Sequence, residues 1–199
     1  MMRPEGAATA NEEPVSDGDR HLLGRAAAGD SRAFEALVER HADRVFGLAL
    51  RLIGDRQVAE EVAQDTFLRL SRSLGTLRAE RTIAGWLRTV AVNLCRDAWR
   101  RQHSRPWQDA ADDPSQFEIT DRAPNPEQRA QIREALGLAE EALLVLPEEQ
   151  RLAVVLRYVW GCSYAEIAQD QHCSEGTVAS RLHRGLRAFA DAIETKGAD

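Results

Sequence analysis

Residues 163–186 contain polar side chains at helical spacing, and the types of these residues suggest a chemistry. Residues 163–186 read SYAEIAQDQHCSEGTVASRLHRGL. Ser163 and Glu166 fit a capping box, in which a serine caps a helix and a glutamate three residues later bonds back to it. The helix that they begin is predicted to be short and to end near Asp170. After a tight turn, Ser174 can cap a second helix, so the segment predicts two helices joined closely.

The second of these helices has one apolar and one polar side. Its apolar positions recur at spacings of four, four and three residues and are predicted to pack on Ile167 and Ala168: Val178, Leu182, Leu186 and Phe189. Its polar side carries Glu175, Thr177, Ser180, Arg181, Arg184 and Arg187. This is the plan of a helix-turn-helix, whose second helix enters the major groove, where arginine pairs with guanine edges and phosphates. A solvated helix face would give the same pattern, so both interpretations stay open at this point.

A second polar stripe lies earlier in the chain. Four residues at spacings of four, three and four share one face of a predicted helix whose other side holds Trp86 and Val90: Thr89, Asn93, Arg96 and Arg100. Residues 86–105 contain five arginines and a single acid, Asp97. Such a stripe can lie along a phosphate backbone, and an asparagine amide can pair with a base edge. The alternative is a solvated face with a routine Asp97–Arg101 pair.

Composition limits these interpretations. The chain has 199 residues, 43% hydrophobic and 29% charged, with a formal net charge of −6. A protein that holds DNA by itself is usually basic, so DNA binding here would need a local basic surface or a partner. No apolar run approaches the 18 residues of a membrane span, and residues 1–16 lack the apolar core of a signal peptide. We therefore expect a cytoplasmic protein without membrane insertion.

Residues that serve catalysis or metal binding elsewhere are scattered in this chain. The five histidines show no spacing typical of a nucleophile or metal site: His21, His41, His103, His172 and His183. The cysteines form no CxxC pair and are expected to be reduced thiols: Cys95, Cys162 and Cys173. We predict no catalytic residue, no metal site and no cofactor, and hence no enzyme.

Helical periodicity organises nearly the whole chain. Apolar residues recur at three- and four-residue spacing, and no segment alternates with period two, so the predicted fold class is all-α with no sheet. The helix after Gly29–Asp30 has one predicted buried stripe: Phe34, Leu37, Val38, His41, Val45, Leu48 and Leu52. Gly29–Asp30 and Gly54–Asp55 each combine a helix stop with an N-cap. Residues 103–126 are rich in proline and acids and lack periodicity, which is typical of a linker. The prediction is two small helical domains joined by a flexible acidic linker, with these bounds: tail 1–18, first domain 19–103, linker 104–124 and second domain 125–195.

Four segments in this order resemble an extracytoplasmic-function (group 4) sigma factor of bacterial RNA polymerase, in the sigma-70 family. The resemblance covers about residues 19–192. GDSRAFEALVERHADRVFGLALRLIGD is similar to region 2.1, AEEVAQDTFLRL to region 2.2 and WLRTVAVNLCRDAWRR to regions 2.3–2.4. LPEEQRLAVVLRYVWGCSYAEIA followed by SEGTVASRLHRGLRAF is similar to region 4. The resemblance implies a factor that directs core polymerase to promoters, reads their −35 and −10 elements and aids melting.

The resemblance also implies roles for three sets of residues. One set binds the clamp coiled coil of the polymerase β′ subunit: Glu61, Gln64 and Asp65. A second reads the −10 element, with a pocket for a flipped base at Asn93, loop residues beside it and arginines on phosphates: Asn93, Ser73, Leu77, Arg78, Arg96, Arg100 and Arg101. A third reads the −35 element: Thr177, Ser180, Arg181, His183 and Arg184. The implied partners of this monomer are core RNA polymerase through β′ and β, promoter DNA and an inhibiting anti-sigma factor.

The chain departs from the family pattern at two positions in the second domain. Many relatives have a proline at Ser174 and a basic residue at Ala179, so one phosphate or base contact is missing here. A polymerase partner would explain the negative net charge, because it would supply most of the attraction for DNA. The acidic linker fits a path through the polymerase channel and equally fits a segment that merely stays soluble.

Two other function classes stay open. A stand-alone helix-turn-helix regulator would leave the Asn93 stripe and the Gln64–Asp65 surface without a role. A sigma-like decoy that binds only an anti-sigma factor should have lost its DNA-facing residues, and here they are present.

Overall fold

The computed structural model describes residues 17–77, 82–103 and 126–196. Within them the chain forms eight α-helices and no strand: α1 (Asp17–Ala27), α2 (Ser31–Ile53), α3 (Arg56–Ser73), α4 (Ile83–His103), α5 (Pro126–Leu144), α6 (Glu148–Tyr158), α7 (Tyr164–Asp170) and α8 (Glu175–Lys196). The all-α fold class is confirmed. The predicted linker 104–124, most of the predicted tail and Arg78 lie outside the described residues.

Helices α1–α4 form the N-terminal bundle, in which α2 packs against the other three. The predicted apolar stripe of α2 supplies its core, with Leu37, Val45, Leu48 and Leu52 fully buried. The predicted cap at Asp30 is confirmed, because its carboxylate accepts hydrogen bonds from the backbone N–H groups at positions 32 and 33. The helix ends in the left-handed conformation that glycine favours, at φ +80°. Local sequence signals therefore set both ends of α2.

Helices α5–α8 form the C-terminal bundle and contain the predicted helix-turn-helix. The capping box at the start of α7 is confirmed: the Ser163 hydroxyl accepts from the Glu166 N–H at 3.3 Å, and the Glu166 carboxylate accepts from the Ser163 N–H at 2.9 Å. The helix ends at Asp170, as predicted. Ser174 caps α8 by accepting from the Thr177 N–H at 3.2 Å. The two helices pack on each other as the plan requires.

The apolar face of α8 differs from the predicted one at Leu186. Val178 and Leu182 are buried, but Leu186 is exposed. The face instead continues through Gly185, where α6 approaches so closely that a Cβ would lie 2.9 Å from Val154 Cγ2. Only a glycine fits that contact without displacing Val154. The buried side of α8 therefore includes Gly185 in place of Leu186.

The two bundles also contact each other, because α2 packs on α5 and α6. Buried apolar residues from both bundles form one continuous core. The Leu144 side chain fills the space beside Gly54, where a Cβ would lie 2.8 Å from its methyl carbons. The Arg44 guanidinium lies 4.4 Å from the centre of the Trp160 ring and donates to its carbonyl at 3.3 Å. The sequence predicted two domains but gave no sign of this contact between them.

Replacing the α7 cap tests how much the local signal contributes to stability. We expect Ser163→Ala to lower the free energy of unfolding by about 1 kcal/mol, because the Glu166 N–H and the Glu166 carboxylate both lose a partner. Urea unfolding followed by circular dichroism measures this loss. Ser71→Ala is the matched control, since Ser71 is exposed and bonds only within its own helix. Equal losses in the two variants would contradict a specific cap.

Thiol reactivity tests the packing of the three cysteines, which are free. Burial raises the pKa of Cys95 and of Cys162 to about 12, so neither thiol ionises readily. Cys173 is only partly buried. Because the thiolate is the reactive form, we expect a disulfide reagent at pH 8 to modify one thiol rapidly in the native protein and all three after denaturation. The Cys173→Ser variant should lose the rapid phase of modification. If two thiols react rapidly in the native protein, Cys95 or Cys162 is more accessible than its burial indicates.

Candidate nucleic-acid interface

Helix α4 presents Asn93 to solvent from a well-packed support. Leu87, Ala91 and Leu94 on its inner side are buried, whereas Asn93 is exposed. An amide offers two N–H donors and a carbonyl acceptor, which suits the edge of a base. The structure therefore confirms that the residue faces outward, and its role in reading a base stays a prediction.

The C-terminal end of α4 carries two exposed arginines. Arg100 forms an ion pair with Asp97, and Arg101 Nε donates to the Asp97 backbone carbonyl at 3.3 Å. The Asp97–Arg101 pair of the alternative interpretation is replaced by an Asp97–Arg100 pair, and Arg101 binds only the Asp97 carbonyl. Both arginines remain at the surface, where phosphates could reach them.

The loop after α3 is described as far as Leu77. Ser73 ends α3, and its carbonyl accepts from the backbone N–H groups of Thr76 and Leu77 at 2.9 and 3.0 Å. Leu77 packs half-buried on the core. These contacts fix the conformation at the start of the loop. Arg78 lies outside the described residues, so the predicted role of this loop in a base pocket stays a prediction.

The N-terminal half of α8 presents most of its predicted reading face. Ser180, His183 and Arg184 are exposed, and Thr177 is half-buried beside the Ser174 cap. Arg184 Nε donates to the Ser180 carbonyl at 3.2 Å, which lays its side chain along the helix surface. These side chains share one accessible side of α8 and together could contact base edges and phosphates.

Arg181 does not point outward with the others. It is half-buried, and its Nη1 lies 2.5 Å from Gln171 Oε1 and 3.0 Å from Glu149 Oε2. The sequence predicted that Arg181 would lie on the exposed polar side of α8. The helical position is right, but the long side chain turns back toward α6 because a carboxylate and an amide are within reach there.

The stripe on α4 also meets acidic residues of the C-terminal bundle. Asp170 is buried, and its carboxylate accepts from Arg88 Nε at 2.7 Å and lies 2.9 Å from the Thr89 hydroxyl. Its backbone carbonyl accepts from Arg96 Nη1 at 2.6 Å. Arg88 Nη1 also donates to Glu166 at 3.2 Å. Thr89 and Arg96, two of the four residues of the predicted stripe, therefore contact α7 and do not form a fully solvated face.

Sequence reasoning missed the acids that cover this stripe. Burial favours a higher pKa for Glu166, but hydrogen bonds from Ser163 and the nearby charge of Arg88 outweigh it and hold the pKa below its ordinary value. Glu166 had been predicted only as part of a capping box, and Asp170 only as a helix end. No signal in the sequence links them to Arg88, because the partners lie 78 and 82 positions apart.

The predicted polymerase-binding residues lie on the exposed side of α3. Glu61, Gln64 and Asp65 are all exposed, as expected. Beside them α2 and α3 enclose an open groove of about 560 Å³ with a mostly apolar lining: Phe34, Val38, Ala42, Asp43, Phe46, Ala63, Gln64, Phe67, Leu68 and Ser71. The sequence placed Phe34 and Val38 in a buried stripe, but they are half-buried groove walls because no further helix of the described residues covers this side.

Other kinds of site find little support in the structure. No group of His, Cys, Asp and Glu residues suited to a metal ion occurs within the described ranges. None of the described helices combines the length and hydrophobicity needed to cross a bilayer.

Comparison with known families matches both bundles. The family described as Sigma-70 region 2 matches residues 37–105, and the family described as Sigma-70, region 4 matches residues 136–189. Together these matches cover more than half of the chain. The first match contains the α4 stripe and the exposed side of α3, and the second contains the helix-turn-helix.

Individual relatives agree with this assignment. The RNA polymerase sigma-H factor of Pseudomonas aeruginosa is 33% identical over 182 residues, which cover 88% of this chain and 94% of that protein. The ECF RNA polymerase sigma factor SigE of Mycolicibacterium smegmatis is 38% identical over 170 residues, 84% of this chain and 65% of that protein.

Solved structures show the same architecture. CnrH, in complex with the cytosolic domain of CnrY, has a TM-score of 0.62 and 26% identity, with 90% of this chain and 99% of that chain covered. The sigma factor RpoE of Bartonella quintana, in complex with the anti-sigma factor NepR, has a TM-score of 0.63 and 21% identity over 81% of this chain and 96% of that chain. At that identity the second likeness shows the fold alone. From the two family matches and these relatives, we conclude that the chain belongs to the extracytoplasmic-function RNA polymerase sigma factors of the sigma-70 family.

Proposed function

We propose that this sigma factor binds core RNA polymerase as a monomer and directs it to promoters by reading a −10 element with α4 and a −35 element with α8. The observation that carries the proposal is the presence of two exposed polar faces, one on each bundle: Asn93 with Arg100 and Arg101, and Ser180 with His183 and Arg184. The chain binds and positions DNA in the cytoplasm, where the polymerase carries out the catalysis.

Reading of the −10 element centres on Asn93. Asn93 stands on a helix whose inner side is fixed by buried residues, so its backbone position is set before a base arrives. Flipping a base out of the duplex costs a few kcal/mol, which contacts from the pocket and from the polymerase would offset. Ser73, Leu77 and Arg78 would complete that pocket, and Arg96, Arg100 and Arg101 would hold the phosphates nearby.

Reading of the −35 element uses the exposed N-terminal half of α8. A helix N-terminus attracts a phosphate through its free N–H groups and its dipole, and Thr177 lies at that end. Ser180, His183 and Arg184 would then face the base edges of the major groove. Arg181 would join them after leaving its internal partners.

Polymerase binding would use the exposed side of α3 and the groove beside it. Glu61, Gln64 and Asp65 supply polar contacts for the β′ clamp coiled coil, and the apolar groove supplies area to bury. The C-terminal bundle would contact the β subunit. This arrangement suits a chain with a net charge of −6, because the polymerase provides most of the attraction for phosphates.

An anti-sigma factor is the proposed regulator. CnrH and the Bartonella RpoE have each been solved with a protein partner, and NepR in the second complex is an anti-sigma factor. The α2–α3 groove is an exposed apolar surface next to the polymerase-binding residues, so a protein seated there would compete with polymerase. The two alternatives, a stand-alone regulator and a decoy, predict different outcomes in the experiments below.

Transcription with core polymerase and a promoter library randomised at −10 and −35 tests the two reading faces. We expect Asn93→Ala to change the selected −10 sequence and Arg184→Ala the −35 sequence. Each should reduce use of the best promoter about 5- to 150-fold, since a good base contact contributes about 1–3 kcal/mol. Gln102→Ala and Lys196→Ala are matched controls, because both residues are exposed on the same helices outside the two sets, and Lys196 lies at the far end of α8.

The same experiment separates the alternatives. Transcripts that appear only with this protein and change with both variants support the proposal. Binding to core polymerase without any transcript supports the decoy. Tight duplex binding by the protein alone, with no effect on polymerase, supports the stand-alone regulator.

Polymerase affinity tests the α3 surface. We expect Asp65→Ala and Leu68→Ser each to weaken binding to core polymerase about tenfold, because one removes a charged contact and the other an exposed apolar wall of the groove. Competition for core polymerase against a labelled wild-type chain measures the change. Glu194→Gln changes an exposed carboxylate at the far end of α8 and should leave the affinity as it was. Unchanged binding in both test variants would place the polymerase contact elsewhere.

A further inference from the structure

Two exposed arginines on α3 have no role in the sites described so far. Arg69 and Arg72 lie in the last two turns of this helix, which ends at Ser73. We infer that they form a phosphate-binding site, which receives the backbone of the DNA strand whose base Asn93 reads. The inference deepens the proposed function and rests on it, because it adds a binding site beside the −10 reading face.

Both arginines are free to bind a new partner. Neither the Arg69 nor the Arg72 guanidinium has a hydrogen bond or an ion pair within the described part of the chain. By contrast, Arg88, Arg96 and Arg100 on α4 all contact carboxylates. An arginine without a carboxylate partner gives up no ion pair when it binds a phosphate, and its planar fork suits two phosphate oxygens. The α3 arginines therefore bind phosphate without a competing acid.

The two arginines share the side of α3 that lies away from the apolar groove. Ala63 and Phe67 line that groove, which α2 and α3 enclose. At 3.6 residues per turn, Arg69 and Arg72 fall on the side of the helix opposite Phe67. Helix α3 packs on both α2 and α4, and because the groove occupies the side toward α2, the side with the arginines borders α4. The arginines thus lie beside the helix that carries Asn93.

The loop that follows Arg72 joins this side of α3 to the proposed base pocket. Ser73 comes directly after Arg72, and its carbonyl accepts from the backbone N–H groups of Thr76 and Leu77 at 2.9 and 3.0 Å. This turn keeps the start of the loop close to the end of α3. Because Ser73 and Leu77 belong to the proposed pocket, a phosphate next to the flipped base would lie near the α3 arginines.

The charge of α3 changes sign along its length. Its first half carries Glu60, Glu61 and Asp65, whereas residues 69–81 contain four arginines and a single acid, Glu80. Clustered guanidiniums attract a phosphate backbone, and the carboxylates of the first half would repel it. The acidic half contains the residues proposed above to bind polymerase. One helix therefore offers its first half to polymerase and its last turns to DNA.

The salt dependence of promoter binding tests the site, with core polymerase saturated by each protein. The test variant combines Arg69→Ala with Arg72→Ala. The matched control combines Arg20→Ala with Arg32→Ala, which removes the same charge from exposed arginines of α1 and α2. We expect the test variant to bind the selected promoter about tenfold more weakly and to lower the slope of log K against log salt by about 1.4–1.8, since each lost phosphate contact removes about 0.7–0.9. The control should match the wild type, and equal slopes in all three proteins would contradict the inference.

Two further readouts separate phosphate binding from other roles. A phosphate contact carries no sequence information, so the test variant should keep the wild-type −10 choice, which Asn93→Ala changes. Arg69→Lys combined with Arg72→Lys should restore the salt slope, because a lysine also binds a phosphate as a point charge. Weaker binding to core polymerase with an unchanged salt slope would overturn the inference and assign the arginines to a protein partner.

Neutral phosphate analogues locate the site on the DNA and use the unmodified protein. The probe is the selected promoter with a single methylphosphonate, which removes one backbone charge, placed in turn at each phosphate around the base that Asn93 reads. We expect some of these positions to weaken wild-type binding about fivefold and to cause no further loss in the test variant, because removing either partner of one contact removes the whole contact. The same losses in both proteins at every position would show that the arginines do not hold these phosphates.

The inference and the proposed function fail in different ways. If Asn93→Ala leaves the −10 choice unchanged, the proposed function fails at that step, and the salt slopes still report whether the α3 arginines contact phosphates. If Asn93→Ala changes the −10 choice while the test variant has the slope of the control, only the phosphate site fails.

Discussion

The burial of α2 is the constraint on which the rest of the structure depends. Its apolar stripe packs against α1, α3 and α4, and it also packs on α5 and α6. A helix of 23 residues is about 34 Å long, so it can support both bundles along its length. The helix that carries Asn93 and the helix that carries Glu149 therefore rest on the same support. Removing a large core side chain from such a stripe costs about 2–5 kcal/mol, which is a large share of a domain's stability.

The distribution of charge explains how a chain with a negative net charge could bind DNA. The net charge is −6, yet arginines are concentrated on α4 and α8 and stand opposite carboxylates of α6 and α7. In three of these four pairs the carboxylate is 44% exposed, and only the Arg88–Asp170 pair is largely buried, so the pairs contribute little net stability. Glu166 keeps its pKa below the ordinary value, so it remains ionised well into the acid range and its pair with Arg88 persists at physiological pH. The acids of α6 and α7 thus link α4 to the C-terminal bundle.

Two surfaces of the molecule are left for other proteins and for DNA. The α2–α3 groove adjoins the exposed side of α3, since Gln64 belongs to both. Asn93, His183 and Arg184 are exposed and could contact DNA.

The sequence by itself determined the features that depend on near neighbours. Helix ends follow from side chains a few positions away, as at Asp30 and in the Ser163–Glu166 box, and the outward direction of Asn93 follows from helical periodicity. The family likewise follows from motifs in order.

Tertiary structure decided what depends on distant partners. Arg96 turns to a carbonyl 74 positions away, and Arg88 to a carboxylate 82 positions away. Leu186 became exposed because α6 approaches α8 at Gly185. Periodicity predicts which side of a helix a residue occupies. The partner of a long side chain, however, depends on which distant residues the fold brings within reach. Residues nearby in the sequence do not determine that partner.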